Sequence, residues 1–360
     1  MSPRTAERLD LPGILSAEQA RRTGDFIASQ QQVDGSIPWY AGAQLDHWDH
    51  IEAAMGLTVV GRYAEAQRAF DWSAAAQRPD GSWPMVMRGG SIENACADTN
   101  QSAYLAVGLW HFHQVTGRTQ VLARLWPAVE RALNFVVRTQ RPDGALAWAV
   151  TPDGRPDAFA LLTGSASAAQ SLECGLQIAA ALGHDRPRWR WARTRLAQAL
   201  ADPSAYDRVF ADRARFSMDW YYPMLTGVLR GEAAQVRLRE SWDAFVWPGH
   251  GVRCVSDQPW VTAAESAELV AALDAMGDSD RALVVLADLQ SLRDEDSGGY
   301  WTGRNVVNDV VWPREQTAWS AAAVLLAVDA LTGSTGGSPL FADAGSCDDE
   351  LPEVSDGAAS

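Results

Sequence analysis

The sequence predicts an all-α, single-domain protein of six helical hairpins closed into an (α/α)6 barrel. Three observations support this. A unit of helix, Asp-Gly-type turn, polar aromatic loop and more apolar helix recurs along the 360 residues. Helices that read as amphipathic alternate with helices that are apolar nearly all round, as a double-layered ring requires. Gly61, Gly117, Gly183, Gly277 and Gly333 each follow an apolar helical run, where a left-handed terminal residue is cheapest for glycine.

The units follow in order. The first passes SQQQVDGSIPWYAGAQ and enters LDHWDHIEAAMGLTVVG; the second passes AAQRPDGSWPMVMRGGSIENACA and enters DTNQSAYLAVGLWHFHQVTG. The third carries RTQRPDGALAWAVTPDGRPDAFAL before TGSASAAQSLECGLQIAAALG, and the fourth FADRARF before SMDWYYPMLTGVLRG. The fifth has FVWPGHGVRCVSDQP before WVTAAESAELVAALDAMG, and the sixth ends in REQTAWSAAAVLLAVDALTG. Inner helices are expected to start near Asp46, Asp98, Thr163, Asp219, Val261 and Glu315. Among the outer helices QVLARLWPAVERALNFVVRTQ is the clearest, with Leu122, Leu125, Val129, Leu133 and Val136 on one stripe. The expected organisation is an extension over 1–18, the toroid over 19–336 and a disordered acidic tail over 337–360.

Composition narrows the function. The 30 basic and 45 acidic residues leave a net charge of −15, and Asp343, Asp348, Asp349, Glu350, Glu353 and Asp356 of that excess fall in the tail. No Lys/Arg cluster offers a nucleic-acid surface. No apolar run is long enough for a membrane span and no hydrophobic signal core opens the chain, so a cytoplasmic location is the expectation. Cys96, Cys174, Cys254 and Cys347 are scattered and form no CxxC pair, which suits reduced thiols. His47 and His50 beside Asp46 and Asp49 do not have a zinc-site spacing, so neither a metal nor any other cofactor is expected.

Two families share features with the chain. Gln77-Arg78-Pro79-Asp80-Gly81-Ser82-Trp83 resembles the QxxxGxW repeat of squalene cyclases and prenyltransferase β subunits, with looser copies at Gln31–Ile37 and Gln140–Leu146. That resemblance implies the ring but not the chemistry. Ala97 stands where the cyclase motif has its proton-donating acid, and the zinc ligands of a prenyltransferase are missing. The segment TNQSAYLAVGLWHFHQVTGRTQVLARLWPAVERALNFVVRTQRPDG is similar to a hairpin of six-hairpin, glucoamylase-like glycosidases. Pro313-Arg314-Glu315-Gln316 resembles the string that holds the catalytic base there, which would make Glu315 the base. The family's general acid has no counterpart in PDGALAWAVTPDG, leaving Asp49, Asp98 or Asp219 to serve.

Glycoside hydrolysis needs two carboxylates across a sugar, one of them kept protonated by its surroundings. Acids recur at the inner-helix starts: Asp46, Asp49 and Glu52, then Asp98, Asp219, Glu265, Glu268 and Glu315. Each taken singly has a plain structural reading as an N-cap, dipole or salt-bridge partner. Aromatic residues accompany them, including Trp48, Trp220, Tyr221, Trp260 and Trp312 among 16 tryptophans. These suit stacking on sugar faces, or else wedge between hairpins. His47, His50 and His250 are candidate proton shuttles. The expected catalytic residues are Glu315, Asp98 and Asp49. The expected substrate contacts are Asp46, His47, Trp48, Glu52, Asp219, Trp220, Tyr221, Trp260, Glu265 and Trp312. The sequence thus favours a carbohydrate-active enzyme, a glycoside hydrolase or related sugar-processing enzyme, acting on a sugar or glycoside. An isoprenoid enzyme and a non-catalytic toroid, whose mouth acids would be held by Arg253 and Arg314, are the rivals.

Overall fold

The structure, a computed structural model, describes residues 9–342. Outer and inner helices alternate in hairpins. The first three are α1 (Ala17–Gln30) with α2 (His47–Val59), α3 (Tyr63–Ala76) with α4 (Thr99–Ala103) and its near-continuation α5 (Leu105–Thr116), and α6 (Thr119–Val137) with α7 (Leu162–Ala181). In the fourth, α8 (Pro187–Leu200) and the single turn α9 (Tyr206–Val209) precede α10 (Ser217–Leu225). The last two are α11 (Gly231–Phe245) with α12 (Ala263–Ala275), and α13 (Ser279–Leu289) with α14 (Ala318–Thr332). Around the inner layer α2 packs on α5, α5 on α7, α7 on α10, α10 on α12, α12 on α14, and α14 back on α2, so the ring closes.

The closure depends on small residues. A Cβ on Gly56 of α2 would lie 2.8 Å from both Cα and Cβ of Ala322 on α14. The inner helices are buried on nearly every side, whereas α6 buries the stripe read from its sequence, Leu122, Leu125, Val129, Leu133 and Val136. All five terminal glycines adopt positive φ.

The Gln-x-x-x-Gly segments tie each hairpin to the next. Gln77 Nε2 donates to the carbonyls of Gly81 and Ala128, Gln31 to those of Gly35 and Glu65, and Gln140 to those of Gly144 and Ala192. Each glycine has positive φ and sits against the neighbouring outer helix; a Cβ on Gly81 would be 2.2 Å from the Arg131 carbonyl oxygen. The motif is therefore structural here.

Connections from inner to outer helices are short, and those from outer to inner helices are long, so the long loops gather on one rim. They carry every strand of the described residues. β1 (Gln44–Leu45), β2 (Val86–Arg88) and β3 (Ser91–Asn94) form one antiparallel sheet, and β4 (Ala97–Asp98) pairs with β5 (Ala149–Val150). β6 (Val246–Trp247), β7 (Gly251–Arg253), β8 (Trp260–Thr262), β9 (Gly303–Asn305) and β10 (Val310–Val311) form a second meander, also antiparallel. These strands stitch neighbouring loops into the mouth of the barrel.

Four boundaries differ from expectation. Val261 lies in β8, two residues before its helix. Glu315 lies in a loop, because Gln316 bridges to Trp301 and the Glu315 carbonyl accepts from Thr302 N–H; the helix starts only after the Thr317 cap. Leu9 and Leu15 are buried, so the body begins before residue 19. Leu340 and Phe341 are also buried, so it runs past 336; residues 343–360 with Cys347 lie outside the described part. No helix among the described residues is long and apolar enough to cross a membrane.

Candidate active site

The mouth and upper axis of the barrel hold a cluster of carboxyl groups. Asp46 caps α2: Oδ1 accepts from the Asp49 N–H at 2.9 Å, and Oδ2 from Trp39 Nε1 at 2.9 Å. One turn on, Glu52 is fully enclosed and accepts from Trp48 Nε1 at 3.2 Å. From α12 come buried Glu265 and Glu268, with the Tyr221 hydroxyl of α10 donating to Glu268 Oε2. The Cys254 thiol hydrogen-bonds Glu265.

Crowding these groups away from water keeps protons on them. Burial pushes Glu52 up to about 8. Asp49 is raised well above the ordinary aspartate value by burial, then by the charges of Asp46 and Glu52 and a hydrogen bond to Asp46. Glu268 is raised by burial and by the charge of Glu52. A half-buried carboxyl that stays protonated beside ionisable acids is what a general acid requires.

Beside the cluster opens a cavity of about 190 Å³, lined by Trp48, Asp98, Thr163, Arg213 and Asp219 together with other polar and apolar side chains. Asp98 takes the capping role considered for it. Its Oδ1 caps α4 through the N–H groups of Asn100 at 2.8 Å and Gln101 at 3.0 Å, and burial lifts it to about 6. Asp219 Oδ1 accepts from the Thr163 hydroxyl at 2.5 Å, joining α7 to α10. That pairing spans 56 residues and has no local signal.

Several expected contacts lie elsewhere. His47 is buried, stacked on Trp83 at 3.8 Å, donates from Nδ1 to the Gln101 carbonyl and is held down to about 3 by burial. It is a neutral packing residue rather than a proton shuttle. His50 accepts the Ile37 N–H at Nδ1 and donates from Nε2 to the Ala69 carbonyl; burial brings it to about 4. Trp220 faces outward, stacked on Phe245 at 5.3 Å with Nε1 on the Arg237 carbonyl. Trp312 is 65% exposed, and its carbonyl accepts from Trp260 Nε1, which places both on the outer rim. Glu315 hydrogen-bonds the Tyr40 hydroxyl at that rim. Arg253 lies over Trp247 and donates to the Ser256 carbonyl, while Arg314 lies over Trp301, so neither is spent on the acid cluster as a non-catalytic toroid would need. Among the described residues no group of three or more His, Cys, Asp or Glu is arranged to hold a metal ion.

Crowded carboxyl groups at the open end of an α/α ring, with Asp49 held protonated among them and a partly aromatic cavity beside them, are the arrangement of a glycoside hydrolase. No protein-family model matches the chain. It is 46% identical over 331 residues, 92% of this chain and 91% of the other, to the MMP endo-(1,4)-3-O-methyl-alpha-D-mannosidase of Mycolicibacterium hassiacum, and it belongs to that enzyme's family. Among solved structures, a wild-type glycosidase superposes with a TM-score of 0.68 at 15% identity, covering 93% of this chain and 100% of that one. The GH63 mannosylglycerate hydrolase of Thermus thermophilus, in complex with glucose, gives 0.66 at 13% identity over 85% and 99%. A D-mannose isomerase gives 0.67 at 10% over 89% and 98%, so the ring alone does not separate hydrolysis from isomerisation. With a mannosidase as its relative, the chain corrects the isoprenoid reading suggested by Gln77–Trp83.

Proposed function

We propose that the chain is an endo-acting hydrolase of (1,4)-linked 3-O-methyl-α-D-mannose chains, with Asp49 as the general acid and Glu265 as the opposing carboxylate. Likeness to an enzyme of that name along nine-tenths of both chains supports the substrate. The observation that carries the acid assignment is the crowding of Asp49 by Asp46, Glu52 and Glu268. A proton held there at neutral pH can pass to the glycosidic oxygen as the bond breaks.

Glu265 is preferred to Glu315 as the partner because it stands in the first turn of an inner helix, beside Tyr221 and Glu268, in the same electrostatic cluster as Asp49. Glu315 meets Tyr40 on the rim. Trp48 and Asp98 then become substrate contacts at the edge of the cavity. Asp49→Asn and Glu265→Gln are each expected to lower kcat on a (1,4)-linked 3-O-methylmannose oligosaccharide by roughly 10²-fold or more while the melting temperature holds. Glu315→Gln is expected to stay within about threefold of the parent, a change worth under 1 kcal/mol. Loss of turnover in Glu315→Gln with retention in Glu265→Gln would reverse the assignment.

A further inference from the structure

We infer that the cavity beside Asp98 is the pocket that reads the methyl ether of the sugar, with Leu146, Leu161, Phe216 and Met218 as its specificity-determining wall. The inference rests on the proposed 3-O-methylmannoside activity and names how that activity would be made selective.

The cavity is lined by two kinds of side chain. Asp98 and Asp219, each committing Oδ1 to a protein donor, stand there with Thr99, Asn100, Thr163, Ser165 and Arg213. The rest of the lining is mainly hydrocarbon: Leu146 and Leu161 from the ends of the third long loop, and Phe216 and Met218 at the start of α10, with Trp148. Arg213 lies over the Phe216 ring at 4.2 Å.

A sugar hydroxyl set against such a wall would lose its water and gain no partner. A methyl ether has no proton to donate and brings a carbon that gains by leaving water. Trp148 supplies a flat surface for the ring, while the acids accept from the hydroxyls that remain free. In a chain of identical 3-O-methylated units every sugar presents its methyl at the same ring position. One such pocket next to the acid cluster therefore seats whichever unit it holds in the same register against Asp49.

The test compares kcat/KM on a (1,4)-linked 3-O-methylmannose oligosaccharide with that on its unmethylated counterpart. The native protein is expected to favour the methylated chain by about tenfold or more, and Met218→Gln and Leu161→Ala each to cut that ratio to about threefold or less. Equal rates on both chains with the native protein, or an unchanged ratio in both variants, overturn the inference and leave the mannosidase activity standing. Failure of the native protein to cleave either chain overturns both readings. Binding to Asp49→Asn protein, measured by titration calorimetry, gives a check that needs neither wall variant. Tighter binding of the methylated chain supports the pocket, and equal binding of the two overturns it.

Discussion

Asp49 and Glu52 illustrate how far three-residue spacing can be read and where it stops. One turn apart on α2, they are legible as a shared helix face. Their protonation is not, because it is imposed first by burial inside the closed ring and, for Asp49, also by the charges of Asp46, Glu52 and Glu268, the last more than two hundred residues away on α12. The same limit hid the Thr163–Asp219 bond. A pH dependence follows with a definite sign. The folded chain holds the Glu52 proton to about 8, whereas an exposed glutamate releases it near 4.5. Stability from this group is therefore full below 4.5 and declines as pH rises toward 8. Calorimetry at pH 5 and pH 8 is expected to show a fall of roughly 5 °C, on the scale of a few kcal/mol, and Glu52→Gln to flatten it. Activity is expected to have an alkaline limb, as loss of the Asp49 proton removes the general acid.

Helices and turns were the most legible level, since periodicity and glycine placement are local. The Gln-x-x-x-Gly segments were readable as ties because glutamine and glycine have few other reasons to recur at that spacing. Their energetic weight can be measured. Gly81→Ala puts a side chain on a residue at φ +98° and 2.2 Å from the Arg131 carbonyl oxygen, so it should cost about 2 kcal/mol or more in urea unfolding. Gln77→Ala abandons two carbonyls, Gly81 and Ala128, and should cost about 1–3 kcal/mol. The start of α14 was read three residues early for a converse reason. Glu315 and Gln316 follow an apolar-helix pattern in sequence, yet their backbone partners are the extended residues Trp301 and Thr302, a non-local pairing.

The order of hairpins around the ring was also legible, because sequential units pack side by side. What the sequence did not disclose is the floor. After α14, Asp329 accepts from the Thr335 N–H at 2.8 Å and its hydroxyl at 2.6 Å, turning the chain back beneath the barrel. Phe341 then enters the axis beside Glu52, Tyr104, Tyr222 and Glu268, and Arg230 donates to its carbonyl at 2.8 Å. Acidic composition after Ala342 drew the expected tail boundary upstream of this plug. Phe341→Ala should destabilise by about 3 kcal/mol, read from the urea midpoint, because it opens a void among buried acids.

The direction of the hairpins has a practical corollary. Residues 9–16 lead into α1 and residues 333–342 leave α14 at the ends served by the short connections, away from the long loops and the acid cluster. A tether built onto either segment would hang the molecule with its mouth toward the bulk liquid. Resin-bound protein attached this way should cleave a long polymer at nearly the rate of free protein. Attachment through a cysteine introduced at exposed Val307, on the sixth long loop, should instead slow the polymer while sparing short oligosaccharides.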